Sequence, residues 1–183
     1  MKYKVIRSRR KTLSLEVKGG EILVRAPLFA RKADIESFAA KNEAWLLRQL
    51  ARQEERKNRM EAIPKLTETE LQKLKERAKT VFPQRVAHYA PTVGVTPGRI
   101  TVCAQKTKWG SCSSKNNLNF NCLLLLAPAE VLDSVVVHEL CHLKYMNHSQ
   151  RFYEEVLRIY PNYNRCNQWL REHGAELMAR LPE

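Results

Sequence analysis

The sequence predicts an α+β fold, with a strand-rich start, long helical stretches and a second short run of strands in the middle. Three observations lead there. Between residues 2 and 26 apolar and polar side chains alternate. Over 31–89, and again from 128 onward, apolar residues recur every three to four positions. Around 100–121, β-branched and aromatic residues reappear among turn-forming ones.

The elements follow in order. Tyr3 and Val5, then Leu13, Leu15 and Val17, alternate with polar residues, and Ile22-Leu23-Val24 follows the turn pair Gly19-Gly20. An N-terminal set of antiparallel strands is expected, closed by Pro27. One long helix over 31–60 should follow, with Ile35, Phe38, Trp45, Leu46 and Leu50 as its apolar stripe. The polar stretch 62–67, with Pro64, reads as a linker. A second helix over 68–89 carries Leu71, Leu74, Ala78 and Val81, and Pro83 should kink or break it. After a loop marked by Pro91, Gly94, Pro97 and Gly98, two strands are expected at 100–102 and 118–121, the latter an edge strand. Between them, 108–117 is rich in turn residues. From Pro128 onward three helical pieces are expected, with a break near Asn147. This organisation divides the chain into an N-terminal part, 1–61, and a larger domain, 66–183.

Composition narrows the classes. No apolar run approaches the ~20 residues that a membrane helix needs, and the charged, alternating start lacks the apolar centre of a signal peptide, so a cytoplasmic protein with no membrane partner is expected. Cys103, Cys112, Cys122, Cys141 and Cys166 are odd in number and form no CxxC pair, which fits reduced thiols better than a disulfide framework. Thirty-two Lys and Arg against 19 Asp and Glu give a net charge of +13, which makes nucleic acid a possible partner. The plainer alternative is a solvated coat, in which Arg48, Arg52, Lys57 and Arg59 pair with Glu43, Glu54, Glu55 and Glu61 along a helix. The sequence says nothing of oligomeric state.

The chemistry concentrates in His138-Glu139-Leu140-Cys141-His142, an HExxH string on the first helix after Pro128. Residues four apart share a helical face, so both imidazoles can point to one cation, with Glu139 about 100° round the helix and beside it. Val131, Val135 and Tyr145 extend the histidine stripe, and Leu132, Val136, Leu140 and Leu143 form a neighbouring one, so the helix should be buried. Buried imidazoles and a carboxylate need partners, and a metal supplies one for all three. His148, six residues after His142 and beside the capping candidates Asn147 and Ser149, completes HExxHxxxxxH. That spacing suits zinc with one coordination position open and Glu139 activating a water. Cys141 points away from the pair. Glu154, Glu155 and Glu172 are the alternatives for the third ligand.

Three motifs in order carry a family resemblance: Arg7 through Leu15, Trp109-Gly110-Ser111-Cys112-Ser113-Ser114, and the HExxH string with Asn147-His148-Ser149. Together they resemble the YgjP-like metallopeptidase family, and more distantly the WLM and SprT-like proteases. The resemblance implies a zincin-like catalytic domain, a small antiparallel sheet packed on the HExxH helix and further helices. It implies a zinc-dependent hydrolase of peptide bonds, with Zn²⁺ on His138, His142 and His148, Glu139 as the base, and a peptide or protein as substrate. Trp109, Ser111, Asn119 and Tyr145 are candidates to touch substrate, and Lys106, Lys108, Tyr145, Tyr153 and His173 to stabilise an oxyanion. The competing reading is a basic nucleic-acid-associated module with a structural or vestigial zinc site, or a protease acting on DNA-bound proteins.

Overall fold

The computed structural model describes residues 2–182 and divides the chain into two compact units, Met1–Ala62 and Ile63–Glu183. Both mix helices with a small sheet, so the chain is α+β.

In the first unit, strands β1 (Lys4–Ser8), β2 (Ser14–Lys18) and β3 (Glu21–Pro27) form a sheet of order β1-β3-β2. The expected antiparallel arrangement holds only for β2 with β3, because β1 runs parallel to β3. The chain reverses after β1 but leaves a strand-wide gap, and β3 fills it from the β2 hairpin. That hairpin turns at Gly19 and Gly20, both at positive φ (59° and 79°), where a side chain would strain the backbone. Alternation in β3 buries Ile22, Val24 and Ala26. The expected single helix over 31–60 is two: α1 (Lys32–Lys41) and α2 (Glu43–Glu61). The break falls at Asn42, whose side-chain amide donates to the Phe38 carbonyl at 2.8 Å and whose backbone leaves the helical region. Leu46 is fully buried, whereas Trp45, expected in the same stripe, is 38% exposed.

In the second unit, α3 (Glu68–Val93) opens with a reciprocal capping box between Thr67 and Glu70 and ends at Gly94 in the left-handed region. It runs through Pro83, where a kink or break was expected. Pro83 is exposed, so the carbonyl its ring leaves without a donor can be met by water. Strands β4 (Ile100–Cys103), β5 (Gly110–Cys112) and β6 (Leu118–Asn121) form a sheet of order β4-β6-β5, with β4 parallel and β5 antiparallel to β6. This is the strand order and sense of the N-terminal sheet, and again mixed where an antiparallel one was expected. Leu118–Asn121 is the central strand, not an edge. The edges are β4 and β5, and β5 forms inside the turn-rich 108–117 because Gly110 to Cys112 pair with Phe120 to Leu118.

After a 3₁₀ turn, α4 (Ala129–Cys141) follows Pro128 and is buried along almost its whole length, from Val131 to Val137 without interruption. It packs against α3, β5, α5 (Gln150–Ile159) and α6 (Tyr163–Ala179). Phe82 of α3 stacks on Phe120 of β6 at 4.6 Å in the core between them. Asp133 of α4 takes paired hydrogen bonds from the Arg85 guanidinium, the first at 2.6 Å, and a third from the Tyr89 hydroxyl at 3.2 Å. These fix the position of α4 along α3. Among the described residues no helix is long and apolar enough to cross a membrane.

Candidate metal centre

His138 and His142 leave the buried side of α4 one turn apart, and His148 arrives from the turn before α5. Ser149 caps α5, its hydroxyl accepting from the Phe152 amide at 3.4 Å, and this returns the chain so that His148 faces the pair. The Nε2 of His138 lies 3.2 Å from Nε2 of both His142 and His148. The three donor atoms converge within 4.8 Å, the one such grouping among the described residues. Phe152, fully buried, forms the floor, its ring centroid 4.5–5.0 Å from all three imidazoles.

The outward nitrogens are engaged elsewhere. His142 Nδ1 lies 3.0 Å from the Tyr145 carbonyl, which can only accept, so Nδ1 carries the proton and Nε2 is bare. His138 Nδ1 lies 2.9 Å from the Tyr163 hydroxyl. The Tyr145 carbonyl thereby fixes the His142 tautomer that aims a lone pair inward, and the Tyr163 hydroxyl, by accepting from Nδ1, can hold His138 in the same one. Burial, then the neighbouring His142 and His148, push His138 down to about 3, and burial also lowers His142, so both rings stay neutral at physiological pH. Neutral imidazoles pointing at one spot suit a cation.

Glu139 sits beside this cluster, 5% exposed, with Oε2 making no hydrogen bond. Burial pushes its carboxyl up to about 8, opposed by the positive charge of Lys108. The carboxylate fits against β5 only because residue 110 is glycine. A Cβ there would come within 2.6 Å of Oε1 and 2.7 Å of Cγ of Glu139. The Trp109 ring is accommodated similarly by Gly174 of α6, where a Cβ would lie 3.0 Å from the ring. Buried Asn121 holds the preceding loop, its amide donating to the carbonyls of Gln105 and Lys108 at 2.7 and 3.0 Å.

A cavity of about 250 Å³ opens beside Glu139, between Trp109 and Gly110 on one side and Val135, Tyr163 and Leu170 on the other, with Lys108 at its wall. Of the candidates for substrate contact only Trp109 lines it. Ser111 pairs with Asn119 within the sheet. Asn119 turns to β4, where it bonds Thr101 and Cys103. Tyr145 serves His142 through its carbonyl. Among the oxyanion candidates, Lys108 reaches the cavity, Tyr153 lies against the His148 ring at 6.0 Å, and His173 lies tilted against Trp169 at 4.7 Å. Lys106 is exposed and does not line the cavity. Each alternative third ligand is engaged elsewhere: Glu154 with Gln150, Glu172 with Gln168, and Glu155 with Lys144 and Arg158. The Lys144 to Glu155 pair ties the turn before His148 to α5. Tyr163 carries no sequence motif, and Gly110 stands in the Trp109–Ser114 motif, where it reads as a tight turn.

Comparison with known proteins gives first the class, a metallopeptidase. The chain belongs to the YgjP-like family, whose metallopeptidase-domain model matches residues 11–73 and 64–173. That membership implies a divalent metal and a peptide or protein substrate. Among solved structures, the chain is similar to the metallopeptidase zymogen of Pyrococcus abyssi abylysin, at 19% identity and a TM-score of 0.45, over 50% of this chain and 93% of that one. It is also similar to the metallopeptidase zymogen of Methanocaldococcus jannaschii jannalysin, at 26% identity and a TM-score of 0.44, over 52% of this chain and 96% of that one. No curated protein matches the chain.

Proposed function

We propose that the chain is a zinc-dependent peptidase in which His138, His142 and His148 hold the metal and Glu139 is the general base. The observation that carries the reading is the convergence of three imidazole Nε2 atoms beside a buried carboxylate with an unpartnered oxygen. The donors fit zinc, which takes imidazole nitrogen readily, and three protein ligands are the number that leaves a position open for chemistry. Zinc, when bound, supplies a Lewis acid that polarises a carbonyl and lowers the pKa of water towards ~7.

The rest is done by the chain's own side chains. With a dication beside it favouring the carboxylate form, Glu139 would accept the proton of the attacking water and, shielded from bulk solvent, return it to the departing amine. Gly110 lets β5 pass close enough to hold that carboxylate in place. Lys108 brings a positive charge to the same cavity, suited to a carbonyl oxygen gaining negative charge. As the edge strand beside Glu139, β5 offers main-chain groups that would align an extended peptide by strand pairing. The cavity between Trp109 and Leu170 would take one of its side chains.

The test is metal content. Reconstituted protein should hold one zinc per chain. His148→Ala should weaken zinc by orders of magnitude and Glu154→Gln should leave it unchanged, as read by competition with a chromophoric chelator. Absence of zinc from reconstituted protein, or the reverse ranking of the variants, removes the basis of the reading.

A further inference from the structure

Residues 1–62 contain twice as many Lys and Arg as Asp and Glu. Five of those sixteen Lys and Arg are held in ion pairs with named partners. Lys4 pairs with Glu21, Arg25 with Glu16, Arg31 with Asp34, Lys32 with Glu36 and Lys57 with Glu61. Arg7 is spent on the carbonyls of Pro27, Leu28 and Ala30. Among those without an ion pair, three form a regular row on one helix. Arg48, Arg52 and Arg56 of α2 are exposed and have no ion pair among the described residues. The local pairing that the sequence suggested for Arg48 and Arg52 does not form.

Their spacing makes them an array. Four residues apart, they lie on one face of α2 at intervals of about 6 Å along the axis. Trp45, three residues before Arg48, brings a partly exposed ring to the same face. Leu46 is buried and Gln53 bonds to the Val17 carbonyl on β2, so the side of α2 turned to the sheet is the other one. By the helical period Glu43, Glu54 and Glu61 project about opposite to the arginines, and only Glu55 borders them.

We propose that this face of α2 binds the phosphate backbone of nucleic acid. Charge complementarity selects the partner. Guanidinium forks match phosphate oxygens in pairs, and a regular row of such forks matches a regular row of phosphates. The ring of Trp45 at the end of the row provides a platform on which an unpaired base can stack. An anionic membrane is the poorer fit, because the exposed Leu47 projects away from the arginine row and leaves Trp45 as its one large apolar group. Binding of this kind is sequence-independent, and it stands or falls separately from hydrolysis.

The test uses the full chain and 20-nucleotide DNA, single-stranded and duplex, in fluorescence anisotropy titrations between 50 and 200 mM salt. Each phosphate contact contributes about −0.9 to the slope of log K against log salt on duplex and about −0.7 on a single strand. The combined variant R48Q/R52Q/R56Q should bind more weakly and flatten the slope by roughly 2 to 3 on the same scale. A control, K73Q/R77Q/K115Q, removes equal charge from exposed positions in the second unit and should keep the wild-type slope. Circular dichroism checks that both variants fold. A preference for the single strand that is lost in Trp45→Ala would support the stacking role. The proposal is overturned if wild type binds neither DNA form at 50 mM salt or if the two triple variants lose affinity equally. It is also overturned if phosphatidylserine vesicles or polyglutamate bind while DNA does not.

Discussion

Removing the Glu139 carboxylate should stabilise the metal-free protein, and by an amount that grows with pH. Burial holds this carboxyl at about 8 against a usual 4.5. Between those values the unfolded chain has released the proton and the metal-free fold still keeps it. The folded state therefore binds more protons, and its stability falls as pH rises from about 4.5 and levels off above about 8. At about 1.4 kcal/mol per pH unit, the full effect is roughly 5 kcal/mol, an upper bound because relaxation and water entry soften it. Glu139→Gln keeps the shape and does not titrate. Urea denaturation of zinc-free wild type and variant, every half pH unit from 4.5 to 9, should show their difference widening by several kcal/mol in favour of the variant. Other titrating groups are shared, so they largely cancel in that difference. A difference that stays flat across the range would refute the claim that Glu139 is buried without a partner in the metal-free fold.

Two further substitutions test how Glu139 and His138 are held. Gly110→Ala places a methyl group where Glu139 now lies, which should cost about 1 to 3 kcal/mol as an overpacked site does. Misplacing the base should lower peptide hydrolysis by about 10²-fold while zinc stays bound; unchanged stability and rate would mean that β5 does not cradle the carboxylate. Tyr163→Phe removes only the hydroxyl that meets His138 Nδ1 and should weaken zinc by about 10 to 100-fold, as loss of an outer partner typically does. Equal zinc affinity in chelator competition would show that this contact does not orient the ring.

What could be read from the sequence was local. The grouping of His138, His142 and His148 follows from an i, i+4 pair plus a capped helix start a few residues on, all within one short stretch. The burial of α4 was likewise visible in its two apolar stripes. The less legible features depend on residues far apart in the chain. Nothing near Tyr163 shows that α6 brings it to His138. Gly110 looked like a turn residue because the reason for it, Glu139, lies 29 positions later. The central place of Leu118–Asn121 required knowing that β5 forms on one side of it and β4 on the other. In α2 the apolar pattern pointed Trp45 inward, since periodicity alone could not reveal the break at Asn42 that ends α1 and resets the helix after it.

The central claim is that Glu139 moves the proton in a zinc-dependent hydrolysis, and one measurement meets it directly. Zinc-loaded wild type and Glu139→Gln would be incubated with a mixed peptide library, with zinc content read on the same samples and cleavage products by mass spectrometry. The account predicts cleavage by wild type and, with zinc retained, a loss of at least about 10² to 10⁴-fold in the variant, the usual contribution of a general base. Equal cleavage by both proteins at full zinc content would contradict it.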